Sequence, residues 1–135
     1  MNSPLDATFP PEGTGHPPLL DPSALDDLLA ELDRDETALD GFVDAFLLHW
    51  PERLHRAEAS ITAGDSAATL DCALSIKVAS EMVGAVWLAR CGGELEEMAR
   101  AGRLDQTAAL VELLRSVGDE TRHALASARN RDLAA

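Results

Sequence analysis

The chain has 135 residues and carries 24 acidic against 11 basic side chains, a formal net charge of −13. Nucleic-acid backbones and anionic membrane surfaces both select for basic patches, so this balance excludes both as expected partners. One domain is expected from the length, and the two cysteines, Cys72 and Cys91, suit free thiols in a reducing compartment. No apolar run approaches the ~20 residues of a membrane span. The N-terminus shows no basic segment leading into an apolar one, so export is not expected and a cytoplasmic location is.

Pro4, Pro10, Pro11, Pro17 and Pro18 crowd residues 1–20, which predicts a disordered, proline-rich lead. Everything after it reads helical. Asp21-Pro22 supplies an N-cap and a first-turn proline, and Leu25, Leu28, Leu29 and Leu32 give a short apolar face. Asp33 to Asp35 break the pattern. A long helix is predicted from Glu36 to Thr62, carrying Leu39, Phe42, Val43, Phe46, Leu47, Trp50, Leu54, Ala57 and Ile61 at helical spacing. The stripe resumes in phase beyond Pro51, so a kink rather than an end is expected there. Gly64 stops the helix and Asp65 caps the next one.

That next helix covers Ser66 to Met82. A further one is predicted over 86–101, with Leu88, Cys91, Leu95 and Met98 inward, weakened by Gly92-Gly93 and ended by Gly102. The last runs over 106–127 after Asp105, with Leu110, Leu113, Leu114, Val117, Thr121 and Leu125 on one side. Strand alternation and hairpin turns do not appear. Short connections between long helices dictate antiparallel neighbours. The expected architecture is all-α: an up-down four-helix bundle over residues 21–127, preceded by a short additional N-terminal helix and followed by a flexible tail, 128–135.

At ~100° per residue, Thr69, Ala73, Ile76, Ser80 and Val83 form the bundle-facing stripe of the 66–82 helix. Leu70, Leu74 and Val78 lie on a separate line at i, i+4, i+8, with Lys77 and Glu81 beside it. Charge normally occupies such a position. Three apolar side chains there suggest a docking surface, the alternative being a helix covered on two sides with Leu74 as ordinary core. Lys77 is the chain's single lysine.

The run Ala73-Leu74-Ser75-Ile76-Lys77-Val78-Ala79-Ser80-Glu81-Met82-Val83-Gly84-Ala85 resembles the signature helix of histidine phosphotransfer (HPt) domains, which loosely reads Ala-His-x-Leu-Lys-Gly-x-Ser-x-x-x-Gly-Ala. Ala73, Ile76, Lys77, Ser80, Gly84 and Ala85 fit that pattern. Leu74 stands where the family carries its phosphate-accepting histidine, and Val78 where it carries a glycine. The resemblance runs from Leu20 to about Leu125. It includes the Phe46-to-Glu52 run, the Ala63-Gly64-Asp65 turn and Cys91-x-x-x-Leu95-Glu96.

In that family an imidazole takes phosphoryl from a receiver aspartate, the lysine compensates charge and the glycine lets the receiver approach. Leucine has no lone pair and can neither attack phosphorus nor titrate. The resemblance therefore implies a two-component signalling protein that binds a response-regulator receiver domain or a histidine kinase through Leu70, Leu74, Lys77, Val78 and Glu81. It implies no catalysis, no cofactor and no metal, and a monomer rather than a dimer. Two alternatives stand beside it: a self-associating structural module using the same apolar line, and phosphotransfer through a histidine outside the motif.

Rival chemistry reads weakly. Ser75 is one residue, roughly 100°, from the acceptor position, and a serine ester would not readily return phosphate to an aspartate. His49, His55 and His123 lack the lysine-and-small-residue setting and read as surface histidines, and His16 in the lead carries no signal. Glu52-x-x-His55 and Glu120-x-x-His123 have the spacing of di-metal carboxylate bundles. Both, however, face away from their helices' apolar stripes, whereas such ligands must project inward. Asp26-Asp27 and Glu94 read as solvated faces, and Glu96-Glu97 before Arg100 offers surface ion pairs.

Overall fold

Aspartate caps set the starts of three helices. Asp21, Asp35 and Asp65 each present a carboxylate oxygen to a backbone N–H in the first turn that follows, at 3.0–3.1 Å. The helices they open are α1 (Pro22–Glu31), α2 (Glu36–Thr62) and α3 (Ser66–Met82). After them come α4 (Val86–Arg100), a 3-10 turn (Leu104–Gln106) and α5 (Ala108–Ala134). The computed structural model describes residues 16–134, with side chains through residue 128. The chain is all-helical over this range, and α2 continues through Pro51 as its unbroken stripe requires.

Gly64, Gly84 and Gly102 end α2, α3 and α4 in one way: the glycine takes a left-handed φ near +70° and the following N–H reaches back to satisfy an orphan carbonyl of the last turn. At Gly84 the requirement is double. A Cβ there would also lie 2.5 Å from the Ala24 Cβ, because the start of α1 sits on this turn and Asp21 N–H donates to Gly84 C=O at 2.8 Å.

The four long helices pack antiparallel, each against its chain neighbours, and α5 closes the bundle against α2. Their shared interior holds Phe46, Trp50 and Ala57 of α2, Ala73 and Ile76 of α3, Leu88, Cys91 and Leu95 of α4, and Leu114, Val117 and Leu125 of α5. Two glycines make this packing possible. Gly92 lets α4 come within contact of the α3 backbone at Lys77, and Gly118 leaves the space the Trp50 indole fills. The apparent weakness of Gly92 in its helix is thus the condition for the closest helix pair. Burial pushes the Cys91 thiol up to about 12, with the Glu94 charge adding to the effect, so this thiol stays protonated and inert at neutral pH.

Three boundaries differ from the sequence reading. The proline-rich lead falls mostly outside the described residues, but its end, His16 to Leu20, packs on the bundle. Pro17 is buried, Leu19 and Leu20 lie against the core, and the His16 ring stacks on Trp87 with centroids 3.8 Å apart. Apolar contact and ring stacking there override the extended-chain preference of the prolines. The last helix starts at Ala108 rather than 106, because buried Thr107 turns its hydroxyl onto Leu104 C=O at 2.7 Å and holds the 3-10 turn. Its backbone then stays helical to Ala134, into the segment expected to be a flexible tail.

Candidate functional site

The capped start of α3 and the Gly84 turn at its end fix the helix rotation. Thr69, Ala73, Ile76, Ser80 and Val83 all point inward and are buried, as their spacing requires. Of the two hydroxyls among them, Thr69 Oγ1 donates to Asp65 C=O at 2.9 Å and shares a 2.8 Å bond with Ser60 of α2, whereas Ser80 Oγ is buried without a hydrogen-bond partner among the described residues. On the opposite side, Leu70 and Leu74 are half-buried and Val78 is 52% exposed. Glu81 beside them is exposed. Leu74 is thus neither fully buried nor open to solvent, and it lies outside the cluster of buried core residues. The line does not stop at Val78: Met82, four residues on, is 43% exposed and extends it to the end of the helix. The i, i+4 spacing already held that signal, obscured by the helix end falling on the same residue.

Lys77 sits differently from the free ammonium that phosphoryl compensation calls for. Its Nζ lies 3.3 Å from Glu96 on α4, brought there by the close approach at Gly92 one turn earlier. Glu96 also accepts from Arg100 at 3.0 and 3.3 Å, the helix-surface pair the spacing predicts. The Arg100 hydrogen bonds foremost, and then the Lys77 one, hold the Glu96 carboxyl below the usual range. Burial and the charge of Glu97 move neighbouring Glu94 the other way.

The rival residues stay apart. His49, His55 and His123 are exposed on their helices, with the His123 ring Nδ1 2.9 Å from Asp119 C=O one turn back. Glu52 and Glu120 face solvent with them, and Glu52 is paired with Arg56 at 3.2 Å. Among the described residues, none of the His, Cys, Asp and Glu side chains gather into a group able to hold a metal ion. Ser75 is exposed, and its Oγ accepts from Arg53 Nε at 3.2 Å, a contact that no local pattern announces. No helix among the described residues is long and apolar enough to cross a membrane.

The family model for the Hpt domain matches residues 41–130. This chain belongs to the Hpt domain family. Its fold is similar to that of histidine-containing phosphotransfer protein B (HptB) from Pseudomonas aeruginosa PAO1, with a TM-score of 0.77 and 35% identity over 84% of this chain and 96% of that one. The Hpt domain of the Hpt sensor hybrid histidine kinase from Shewanella shares the fold at a TM-score of 0.65 and 15% identity, over 79% of this chain and 92% of that one. No curated protein matches the chain. Hpt-family membership assigns the chain to phosphorelay signalling, in which Hpt proteins are carriers of phosphoryl groups.

Proposed function

We propose that this Hpt-family domain serves its phosphorelay by binding alone, docking a response-regulator receiver domain or a histidine kinase without taking up phosphate. One observation carries the reading. Leu74 occupies the motif's histidine slot on the outward side of α3, and branched Val78 stands one turn on where the motif has glycine. A hydrocarbon there offers no nucleophile, and Lys77 is committed to Glu96 rather than held ready for an incoming charge.

The same exchange enlarges the apolar contact area along Leu70, Leu74, Val78 and Met82, with Lys77 and Glu81 at its edges. Burying each such side chain fully contributes about 1.5–3 kcal/mol before association costs, enough for a weak to moderate contact. The domain would then compete with, or scaffold, a working relay in the cytoplasm, as a monomer and without enzymatic activity or cofactor. The bundle over 21–127, with His16 to Leu20 packed on it, is the binding unit in this reading.

The test is to titrate the full chain with purified receiver domains from the same genome, bare and acetyl-phosphate-treated, and to measure binding by calorimetry. Saturable binding that Leu74→Asp weakens at least tenfold supports the proposal. Binding unchanged in Leu74→Asp rejects the surface. Light scattering on the isolated chain settles the competing use of the same line: a stable dimer lost in Leu74→Asp would replace docking with self-association.

A further inference from the structure

Beside the apolar line, on its α2 side, lies a groove of about 260 Å³ lined by His49, Glu52, Arg53, Arg56 and Ser75. The Ser60–Thr69 and Arg53–Ser75 bonds set the antiparallel register of α2 and α3. Followed one turn further, that register sets His49 level with Ala79, next to Val78. The groove and the proposed docking face are thus continuous.

Its charge runs against the molecule. In a chain of net charge −13, two guanidiniums and an imidazole here face a single carboxylate, Glu52. Arg56 shares that carboxylate through an exposed 3.2 Å pair. Arg53 is half-buried and forms no ion pair among the described residues, although acids outnumber bases 24 to 11 along the chain. Its Nε is engaged by Ser75, which fixes the guanidinium plane and leaves the two terminal nitrogens for another acceptor. A planar fork held in this way matches the two oxygens of an oxyanion. A partly desolvated cation without a counter-ion also favours acquiring one.

We infer that the groove is an oxyanion-binding site whose occupant is an Asp or Glu carboxylate on the docked partner protein. Arg53 is its principal ligand, Arg56 and His49 assist, and Ser75 positions Arg53. This assignment rests on the docking reading above for the source of the carboxylate, but not for the existence of the site.

The two are separated by titrating the ¹⁵N-labelled full chain with sodium acetate and, separately, inorganic phosphate at constant ionic strength, following the Arg53 Nε–H and the Ser75 and His49 amides by NMR. Saturable shifts with acetate at millimolar concentration are expected. They should disappear in Arg53→Gln, weaken at least threefold in Arg53→Lys and Ser75→Ala, and survive in Ser75→Thr. Uniform, non-saturating drift, or an unchanged response in Arg53→Gln, overturns the site even if receivers bind. Phosphate preferred over acetate more than tenfold overturns the carboxylate assignment. With any receiver that binds, Arg53→Gln should lower affinity at least fivefold. Unchanged receiver affinity in Arg53→Gln, when the unaltered chain binds acetate and that variant does not, would make this a free-anion site and refute the partner carboxylate. Acetate binding with neither receiver nor histidine kinase bound would leave the groove standing and remove the docking reading instead.

Discussion

The inward side of α3 presents Thr69, Ala73, Ile76, Ser80 and Val83, all buried; the outward side presents Leu70, Leu74, Val78 and Met82, none buried. Both sides contain hydrocarbon, so hydrophobicity alone does not tell them apart. Size and partners do. The inward residues are small or β-branched, which lets α4 approach to backbone contact at Gly92, and the Thr69 hydroxyl returns to the Asp65 carbonyl. The outward residues are mostly longer, follow one i, i+4 line and end in side chains half open to solvent. Packing accounts for the first set in full, whereas the second stays partly open to solvent.

The contrast breaks most readily by truncation. Ile76→Ala should cost about 2–5 kcal/mol in urea unfolding, because it empties a fully buried site, whereas Val78→Ala should stay within about 0.5 kcal/mol. Comparable losses would mean that both sides are core. The converse experiment is Val78→Asp: receiver binding should fall at least tenfold, about 1.4 kcal/mol, while the melting temperature stays near that of the unaltered chain. A smaller effect belongs to the cap that sets the helix rotation. Asp65→Ala should destabilise by about 1 kcal/mol without altering the docking face, as read by unfolding and by binding together.

The smallest effects are pH slopes on α4. Glu96 is depressed in the fold, chiefly by Arg100, so its stabilising contribution is complete above the ordinary glutamate range and is lost as pH falls through its lowered value. Glu94 is raised by burial, so stability should instead be lost as pH climbs from the ordinary range through its raised value. Urea midpoints against pH for Glu96→Gln and Glu94→Gln should each remove one of these opposing slopes. Identical profiles in both variants would contradict the assignment.

Much of the fold was legible because it is local. The bounds of α2 and α3 follow from aspartate caps, terminal glycines and apolar spacing, all readable within a few residues. The inward stripe of α3 and the outward exposure of His55 and His123 follow from helical angle alone. What escaped the sequence is long-range. The stacking of His16 on Trp87, the Lys77–Glu96 pair and the Arg53–Ser75 bond each join residues from separate segments, and no periodicity encodes which side chains meet across an interface. Gly92 reads as a weak point in its helix until the atoms filling the space beside it are placed. The Hpt motif points to the candidate site, but not to the commitment of its lysine.

Incubating the full chain with receiver domains carrying radiolabelled phosphoryl-aspartate, then separating the proteins and assaying acid-labile label, asks most directly whether a leucine in the acceptor slot has ended phosphotransfer. Binding without label on this chain is the predicted result, with label appearing only in a Leu74→His, Val78→Gly variant. Acid-labile phosphate on the unaltered protein would contradict it.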